Sequence, residues 1–297
     1  MESRALRYFL AVAEELNFAR AAERLGISSP PLSRAIRNLE AELGLTLFER
    51  TTHNVTLTAA GEVLLEHGRV AVDALQAAGR RAQRAAVVEP VLVLAVKADS
   101  DAGLLDAILA RFAAEPAAQP VTIRLCGWGE QPGLLLRGEA DAALVYEPFD
   151  RTGLDAETVN IEPRVAAVPA AHPLASRESI SLAELDLPIF EPANPEELRR
   201  YLDGIVEDHG VRDLPQLLKL VELGKFVTLL PESVVARYPR PGIAYLHVPD
   251  APPAVLAIAW PQQSRSPATA ALVRAAASRM DHDGLRADID IRPEAAH

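Results

Sequence analysis

Apolar side chains recur at helical spacing in three segments near the start of the chain, residues 6–16, 18–25 and 32–43. Gly26 and Gly44 follow the second and third segments, where a helix can end in a left-handed residue. Ser28 precedes Pro30, so a serine cap and a first-turn proline should begin the third helix. The pattern predicts a three-helix core whose second and third helices are joined by a tight turn.

The third predicted helix has a polar side opposite its apolar side, and this side carries Pro30, Ser33, Arg34 and Arg37. Two helices around a tight turn are typical of the helix-turn-helix, which places its second helix in the major groove of DNA. An ordinary helical domain with a solvated arginine face is the alternative. Short strand-like runs at residues 47–50 and 55–58 favour DNA binding, because they predict a β-hairpin wing with Arg50 at its base.

Residues 58–88 read as one long helix that Thr58 caps, with no proline before Pro90. Its apolar side is rich in alanine and comprises Val63, Leu64, Val70, Leu75 and Ala78, with Ala71, Ala74 and Ala82. A helix of this length cannot bury that side against a domain of about 60 residues, so a second copy of the chain is the expected partner. Packing on the chain's own second half is the alternative.

Residues 90–297 alternate strand and helix signals, which predicts an α/β domain with a largely parallel sheet. A second set of strands and helices follows from about residue 161, and a last helix begins at Ser266–Pro267. If that helix returns to the first set, the result is two α/β lobes with a cleft between them. Ligands of such folds bind beyond the carboxyl ends of the strands.

The net charge of −11 seems to argue against binding to nucleic acid, but the charge is not evenly distributed along the chain. Residues 1–89 hold 11 Arg and 11 Asp or Glu, whereas residues 90–297 hold 19 Lys or Arg and 30 Asp or Glu. DNA binding therefore depends on where the arginines point. No apolar run is long enough to span a membrane, no signal peptide is visible, and Cys126 is the only cysteine. We expect a cytoplasmic protein without membrane contact.

Catalytic chemistry finds little support in the sequence. The histidines lack metal-ligand spacing, and Pro132 stands where a dinucleotide-binding fingerprint beginning at Gly127 would need its third glycine. Asp99 and Asp101 form a possible carboxylate pair, but acids ahead of a helix are usually dipole partners. We therefore expect no enzyme activity, no catalytic residue, no metal and no cofactor.

Five motifs in the first part of the chain occur in a recognisable order, at residues 18–25, 28–36, 39–44, 47–50 and 57–61. Together they resemble the winged helix-turn-helix of LysR-type transcriptional regulators. Residues 138–144, 168–174, 180–185, 224–231 and 264–267 resemble the effector domain of the same family. The resemblance covers about residues 4–280. It implies a winged helix-turn-helix, a linker helix and a two-lobed α/β effector domain like a periplasmic binding protein.

The resemblance also implies partners: promoter DNA, a small-molecule effector, a homodimer or homotetramer, and RNA polymerase as a possible further partner. The chain departs from the family at Ser29, where glutamine is common, and at the wing tip, His53–Asn54, which is often basic. The DNA-contacting candidates are Ser29, Pro30, Pro31, Ser33, Arg34, Arg37, Arg50 and His53.

Family effector contacts follow the first three strands of the second half, and lobe two can add others. The effector-binding candidates are Asp99, Ser100, Asp101, Trp128, Tyr146, Asn194, Lys225 and Phe226. Carboxylates with aromatic faces suit an uncharged or cationic ligand better than an anion. The alternative is a degenerate cleft, filled by Trp128 and Tyr146, in a regulator that senses nothing.

These signals predict three regions. Residues 1–58 form the DNA-binding domain, 59–89 the linker and dimerisation helix, and 90–297 the effector-binding domain. Within the last, lobe one comprises about 90–160 and 266–280, lobe two about 161–265, and residues 281–297 form a loose tail. The effector, the target genes and the direction of regulation are not encoded in recognisable motifs.

Overall fold

A computed structural model describes residues 2–50, 54–86, 90–185 and 194–278. The chain divides into two compact units with the main boundary at Ala86. The N-terminal unit contains, in order, α1 (Ser3–Glu15), α2 (Phe18–Arg24), α3 (Ser29–Leu43), β1 (Phe48–Arg50), β2 (Val55–Leu57) and α4 (Ala59–Ala85). This unit is the predicted winged helix-turn-helix, continued by the predicted long helix.

The turn between α2 and α3 follows the local signals in the sequence. Asn17 caps α2 by accepting hydrogen bonds from the backbone N–H groups of Ala19 and Arg20. Gly26 and Gly44 adopt positive φ angles of 66° and 68°, as helix ends of this kind require. Ser28 occupies the N-cap position of α3, but its side chain makes no capping hydrogen bond.

One apolar core joins the three short helices to the wing. Phe9 lies at its centre, fully buried, with its ring centroid 5.3 Å from that of Phe48 at the start of β1. The apolar side of α3 contributes Leu32, Ile36 and Leu39, each at most 1% exposed. Burying this stripe orients α3 so that its polar side faces solvent.

The start of α4 lies close against the chain that leads into the wing. The backbone N–H of Thr58 donates to the carbonyl oxygen of Leu47, and the Thr58 hydroxyl accepts from the N–H of Gly61. A Cβ atom at Gly61 would lie 2.3 Å from the Leu47 carbonyl oxygen. Glycine is therefore required here by the close approach of two backbone segments.

Further along, α4 carries an apolar face that is exposed among the described residues. Val63, Val70 and Leu75 are 57%, 46% and 53% exposed. At about 100° per residue, these residues and the exposed alanines between them fall within an arc of about 140°.

The C-terminal unit contains β3 (Leu92–Lys97), α5 (Leu105–Ala113), β4 (Val121–Cys126), α6 (Gln131–Leu136), β5 (Ala142–Tyr146), β6 (Leu154–Glu162), β7 (Arg164–Pro169), α7 (Pro195–His209), α8 (Leu214–Glu222), β8 (Thr228–Pro231), α9 (Glu232–Ala236), β9 (Ile243–His247), β10 (Ala254–Pro261) and α10 (Pro267–Ala277). Its strands form two sheets, one in each lobe.

Lobe one is built on a five-stranded sheet in the order β4-β3-β5-β10-β6. The strands β4, β3 and β5 are parallel, and β10 pairs antiparallel with both β5 and β6. Helices α5 and α10 pack together and share one core with this sheet. Because parallel strands end at the same edge, the segments after β3, β4 and β5 lie together.

Lobe two is built on a three-stranded antiparallel sheet in the order β8-β7-β9. Helix α8 packs on this sheet through Leu214, Leu217, Leu218 and Val221. A separate apolar cluster on the sheet includes Ile180 and Leu246.

Two predictions about the second half are wrong in detail. The sheets are mixed and antiparallel, because three parallel strands in lobe one are the only parallel set among the described sheet strands. The boundary at 266 is also wrong, since β10 already lies in the lobe-one sheet from Ala254, and β6 extends that sheet to Glu162. Residues 87–89 and the predicted tail at 281–297 lie outside the described residues.

We predict opposite effects of alanine at two glycines of α4. Gly61→Ala should destabilise the protein by about 1–3 kcal/mol, because the new methyl group meets a backbone carbonyl that cannot move independently. Gly79→Ala should stabilise it by about 0.5–1 kcal/mol, because no atom lies within 4 Å and alanine favours a helix. Urea unfolding measures both, and equal effects of the two substitutions would contradict the proposed close approach.

Candidate DNA-reading face and effector cleft

The polar side of α3 is the exposed face that the sequence predicts. Arg34 and Arg37 are exposed one helical turn apart, and Ser33 is half-buried beside them. Among the described residues, neither guanidinium has a carboxylate within 4.0 Å. Exposed arginines without an internal partner are free to bind phosphates or base edges.

Other arginines of the same unit are engaged with acidic side chains. Arg24 contacts Glu14 at 2.8 Å, and Arg69 contacts the same carboxylate at 3.3 Å. The hydrogen bond and charge of Glu14 raise the pKa of Arg24 above its usual value. The unit thus pairs several cations internally and leaves those on α3 unpaired.

Arg50 stands at the base of the wing, as predicted, but it has an internal role. Its guanidinium lies 3.1 Å from a Glu40 carboxylate oxygen and 4.6 Å from the centre of the Phe18 ring. The other Glu40 oxygen accepts from the N–H of Leu47 at 2.9 Å. These contacts tie the wing to α2 and α3, so a phosphate would have to bind to an arginine that is already ion-paired.

The remaining DNA-contacting candidates are three residues at the start of α3 and His53. Ser29, Pro30 and Pro31 form its first turn, and both prolines are exposed. His53 at the wing tip lies outside the described residues.

The segment after β3 forms the lobe-one side of the contact between the two lobes. Asp99 and Ala102 have positive φ angles of 57° and 52°, which non-glycine residues rarely adopt. Such a conformation costs about 1–3 kcal/mol and persists only where the surroundings hold it. Asp101, 8% exposed, also accepts from the N–H of Leu105 at the start of α5.

Both aspartates bind side chains of lobe two. The Arg237 guanidinium donates to Asp101 at 2.7 Å and lies 3.6 Å from Asp99, and the Tyr238 hydroxyl donates to Asp99. Burial raises the pKa of Asp101, but the hydrogen bond and charge of Arg237 outweigh it and hold that pKa below its usual range. The side chains of Asp99 and Asp101 are thus engaged with lobe two, and the expectation of an uncharged or cationic ligand stays a prediction.

A second polar cluster joins the lobes where β6 passes into β7. Glu162, 9% exposed, accepts from the Tyr146 hydroxyl at 2.5 Å and from both the N–H and the hydroxyl of Ser233 in α9. Burial and the Glu162 hydrogen bond raise the pKa of Tyr146. Tyr146 thus lies at the predicted position, with its hydroxyl already bound to protein.

Trp128 lies between the two lobes. The residue follows β4 in lobe one, and its indole packs against the lobe-two cluster around Leu217 and Leu218. The Lys97 ammonium lies 5.6 Å from the centre of this ring and donates to the Ser100 hydroxyl at 3.2 Å. The structure therefore brings Trp128 and Ser100 together around a lysine.

Of the three effector-binding candidates in lobe two, only Phe226 shares a cluster with Trp128. Phe226 packs on the same lobe-two cluster as Trp128, with its ring 5.9 Å from that of Tyr201. Asn194 caps α7 by accepting from the N–H of Glu197. Lys225 is exposed, and no described contact joins it or Asn194 to Lys97, Ser100 or Trp128.

Sequence reasoning missed Lys97, Glu162, Ser233, Arg237 and Tyr238. Lys97 had a usable signal, because it ends an otherwise apolar strand and the chain has only three lysines. The lobe-two residues follow an ordinary strand, and nothing in their spacing identifies their partners.

Comparison with known proteins decides the family. The model for a bacterial regulatory helix-turn-helix protein of the lysR family matches residues 3–62, and that for a LysR substrate binding domain matches residues 85–281.

The chain belongs to the LysR family of transcriptional regulators.

Individual relatives support the assignment of the chain to this family. The transcriptional regulator AlsR of Bacillus subtilis is 36% identical over 245 residues, which cover 78% of this chain and 81% of the relative. XapR of Escherichia coli is 32% identical, with 91% of this chain and 95% of the relative covered. IlvR of Caulobacter vibrioides is 31% identical, with 92% and 97% covered. The chain is thus a DNA-binding regulator with an effector-binding domain and not an enzyme.

Solved structures of the family show the same architecture. CbnR superposes with a TM-score of 0.59 at 26% identity, covering 95% of this chain and 100% of CbnR. Full-length CbnR in complex with its target DNA superposes with a TM-score of 0.55 at 26% identity, covering 93% and 99%. The predicted fold class, with an N-terminal helix-turn-helix and an α/β effector domain, is confirmed.

Metal binding, membrane insertion and cysteine chemistry find no support in the structure of the described residues. Within the described ranges, no group of three or more His, Cys, Asp or Glu is arranged to bind a metal ion, and no helix is long and apolar enough to cross a membrane. Burial and the nearby Glu130 carboxylate raise the pKa of the Cys126 thiol to about 11. The thiol is therefore protonated near neutral pH, which disfavours reaction with oxidants.

We predict that Asp101→Asn destabilises the protein by about 1 kcal/mol at pH 7 through loss of the Arg237 ion pair. Hydrogen bonds to charged groups usually stabilise a protein by more than this amount. We expect less here because the Arg237 side chain is 36% exposed and solvent screens its charge. The control Asp106→Asn, in the exposed first turn of α5, should cost only a few tenths of a kcal/mol. Urea unfolding measures both.

The stabilisation that the Arg237–Asp101 ion pair provides should decrease at low pH. The pKa of Asp101 is lowered in the folded protein, so its stabilisation is full above about 3.9, the ordinary pKa of aspartate, and is lost as the pH falls through the folded value. The difference between wild type and Asp101→Asn should therefore shrink below about pH 3.9. A difference that stays constant from pH 7 to 3.5 would show that the charge of Asp101 is not responsible.

Proposed function

We propose that this LysR-type regulator reads its operator through the polar face of α3 and is controlled by a small molecule bound between the lobes of its second unit. The observation that carries the DNA half is the unpaired state of Arg34 and Arg37 beside arginines that are ion-paired. Ser29, Pro30, Pro31 and Ser33 complete the surface that approaches the bases. Arg50 and His53 are assigned to the sugar-phosphate backbone.

The proposed control by a small molecule rests on the region between the two lobes. The segment after β3 is strained at Asp99 and Ala102, and polar side chains of both lobes converge on it. Strain of this kind is typical of ligand-binding and switch segments. A ligand that prefers one arrangement of the lobes changes the population of that arrangement, and this is the physical requirement for control.

A ligand-independent regulator is the second candidate, and one observation favours it. The side chains of Asp99, Asp101 and Tyr146 are already satisfied by protein partners. A cleft held closed by such contacts needs no effector to keep its shape.

We also propose that two copies pair through the exposed apolar face of α4, and that two such dimers form a tetramer on DNA. Single-chain faces of this kind are stabilised by burial against another helix. Paired copies would present two copies of α3 to a two-fold-related site. Because its substrate is chromosomal DNA, we place the protein in the cytoplasm, with RNA polymerase as a partner at the promoter.

The DNA assignment predicts that Arg34→Ala weakens binding to the operator by about 1–3 kcal/mol without lowering thermal stability. Operator DNA is first selected from a random pool with the wild-type protein, and affinity is then measured by fluorescence anisotropy at several salt concentrations. Arg69→Ala, which removes the same charge from an ion pair on α4, is the control and should bind nearly as wild type. If both variants bind alike, α3 does not carry the recognition that we assign to it.

The assembly proposal predicts that Val70→Asp weakens dimerisation at least about tenfold, because it would bury a charge in the apolar face. Gln83→Asp adds the same charge to an exposed position outside the arc and should leave the oligomer intact. Sedimentation velocity at micromolar concentration compares the two. A wild-type protein that is monomeric, or a Val70→Asp dimer as tight as wild type, excludes pairing through this face.

A further inference from the structure

Helix α9 is short, but it lies where lobe two meets lobe one. It follows β8 without a break, since Pro231 ends that strand and Glu232 begins the helix. Val234 is buried and belongs to the same lobe-two core as Leu217 and Leu218. These connections attach α9 firmly to lobe two, so the helix moves with that lobe.

A second side of α9 binds lobe one at two points that are one helical turn apart. Ser233 donates to Glu162 at 2.7 Å from its backbone N–H and at 2.9 Å from its hydroxyl. Arg237, four residues later, donates to Asp101 at 2.7 Å. Residues four apart share one face of a helix, so both side chains leave α9 in the same direction. We call these two contacts the α9 clasp.

The lobe-one partners of the clasp are positioned by one sheet. Glu162 ends β6, and Asp101 follows the end of β3 by four residues. Tyr146 ends β5, which lies between these strands in the sheet, and its hydroxyl donates to Glu162. Burial and Glu162 raise the pKa of Tyr146, and the charge of Asp101 adds to the rise. Both ends of the clasp therefore lie within electrostatic reach of one side chain.

The geometry of the clasp makes it difficult to lose one contact alone. A shift of α9 that separates Arg237 from Asp101 also draws Ser233 away from Glu162, because the two donors are fixed to the same turn of helix. Both carboxylates are buried, and a buried carboxylate that loses its donor is costly. Packed interfaces of this kind have two discrete arrangements and deform little between them.

We propose that the α9 clasp opens and closes as one unit, and that its state sets the arrangement of the lobes to which operator binding responds. The proposal rests on the proposed control through the lobes and identifies the element that holds them when no ligand is bound. Ser233 and Arg237 are then positioning residues. An effector changes operator affinity by favouring either the open or the closed clasp.

The first test perturbs one contact and observes the other by hydrogen–deuterium exchange of the full-length protein. Ser233→Ala removes a hydroxyl donor, and the amides of residues 102–105 should then exchange at least about threefold faster. Asp101→Asn removes the charge that Arg237 binds, and the amides of residues 232–235 should then exchange faster. An effect in both directions follows from linkage, because the coupling between two sites is reciprocal.

Two control substitutions remove the same chemical groups within lobe two. Ser181→Ala removes a hydroxyl that donates to Glu184 at 3.1 Å. Arg240→Met removes a guanidinium that lies 3.3 Å from Glu222. Neither should change exchange at the clasp. A change as large as that of the clasp variants would mean that general destabilisation, and not coupling, speeds the exchange.

The second test measures operator affinity without any ligand, by fluorescence anisotropy on DNA selected with the wild-type protein. Ser233→Ala and Asp101→Asn should change the Kd in the same direction by at least about threefold, because both open the clasp. The controls should bind as wild type. Arg237→Lys, which keeps the charge but loses the planar donor, repeats the test should Asp101→Asn fold poorly.

The outcomes separate this inference from the proposed function. If each substitution speeds exchange only at its own contact, or if the two change the Kd in opposite directions, the clasp is overturned while control through the lobes remains. If exchange is coupled but the Kd stays at the wild-type value in both, the arrangement of the lobes does not reach the DNA. The regulatory role of the clasp and the proposed control then fall together.

Discussion

Two lobes that close on charged side chains must pair those charges, because a carboxylate or cation held away from water without a partner is costly. The contact of Arg237 with Asp101 and Asp99 meets this requirement at the mouth of the cleft, and Ser233 with Glu162 meets it where β6 passes into β7. Ser233 lies in α9 and Arg237 directly follows it, so one short helix carries the polar contacts that join lobe two to lobe one at these places. The segment with positive φ at Asp99 and Ala102 is bound to lobe two through Arg237 and Tyr238.

The same principle, applied to arginines, separates structure from recognition in the N-terminal unit. Arg50 is bound to Glu40 and covers Phe18, which attaches the wing to the helices. Among the residues that the structure describes, Arg34 and Arg37 have no such partner, although acidic residues are as numerous as arginines in this part of the chain. An exposed cation that the protein does not pair is available to a polyanion, whereas a paired one mainly holds the fold. In lobe one, Lys97 stands out for the same reason.

Local signals predicted the elements that bury a regular stripe. Helix α3 was foreseen because its apolar spacing, first-turn prolines and terminal glycine lie within a few residues of one another. Helix α4 was foreseen because Thr58 caps it and no proline interrupts the sequence before Pro90. The strand β6 was missed, since as an edge strand it exposes Asp155 and Glu157 and so reads as polar. The Arg237–Asp101 contact joins positions 136 residues apart, and no single-sequence pattern specifies such a pairing. The partners of Asp99 and Asp101 were not foreseen for this reason, and the expectation of an uncharged or cationic effector stays a prediction.

The central claim is that lobe two binds Asp99 and Asp101, whereas no carboxylate of the described residues lies within 4.0 Å of the Lys97 ammonium. The most direct measurement is a pH titration of the lysine side chains by NMR in the full-length protein, labelled at lysine. The chain has three lysines, so Lys219→Met and Lys225→Met suffice to assign the signals. We expect Lys97 to titrate below about 10.4, the ordinary pKa of lysine. A Lys97 signal that titrates at or above that ordinary value would contradict the account, since it would mean that the ammonium is solvated or already ion-paired.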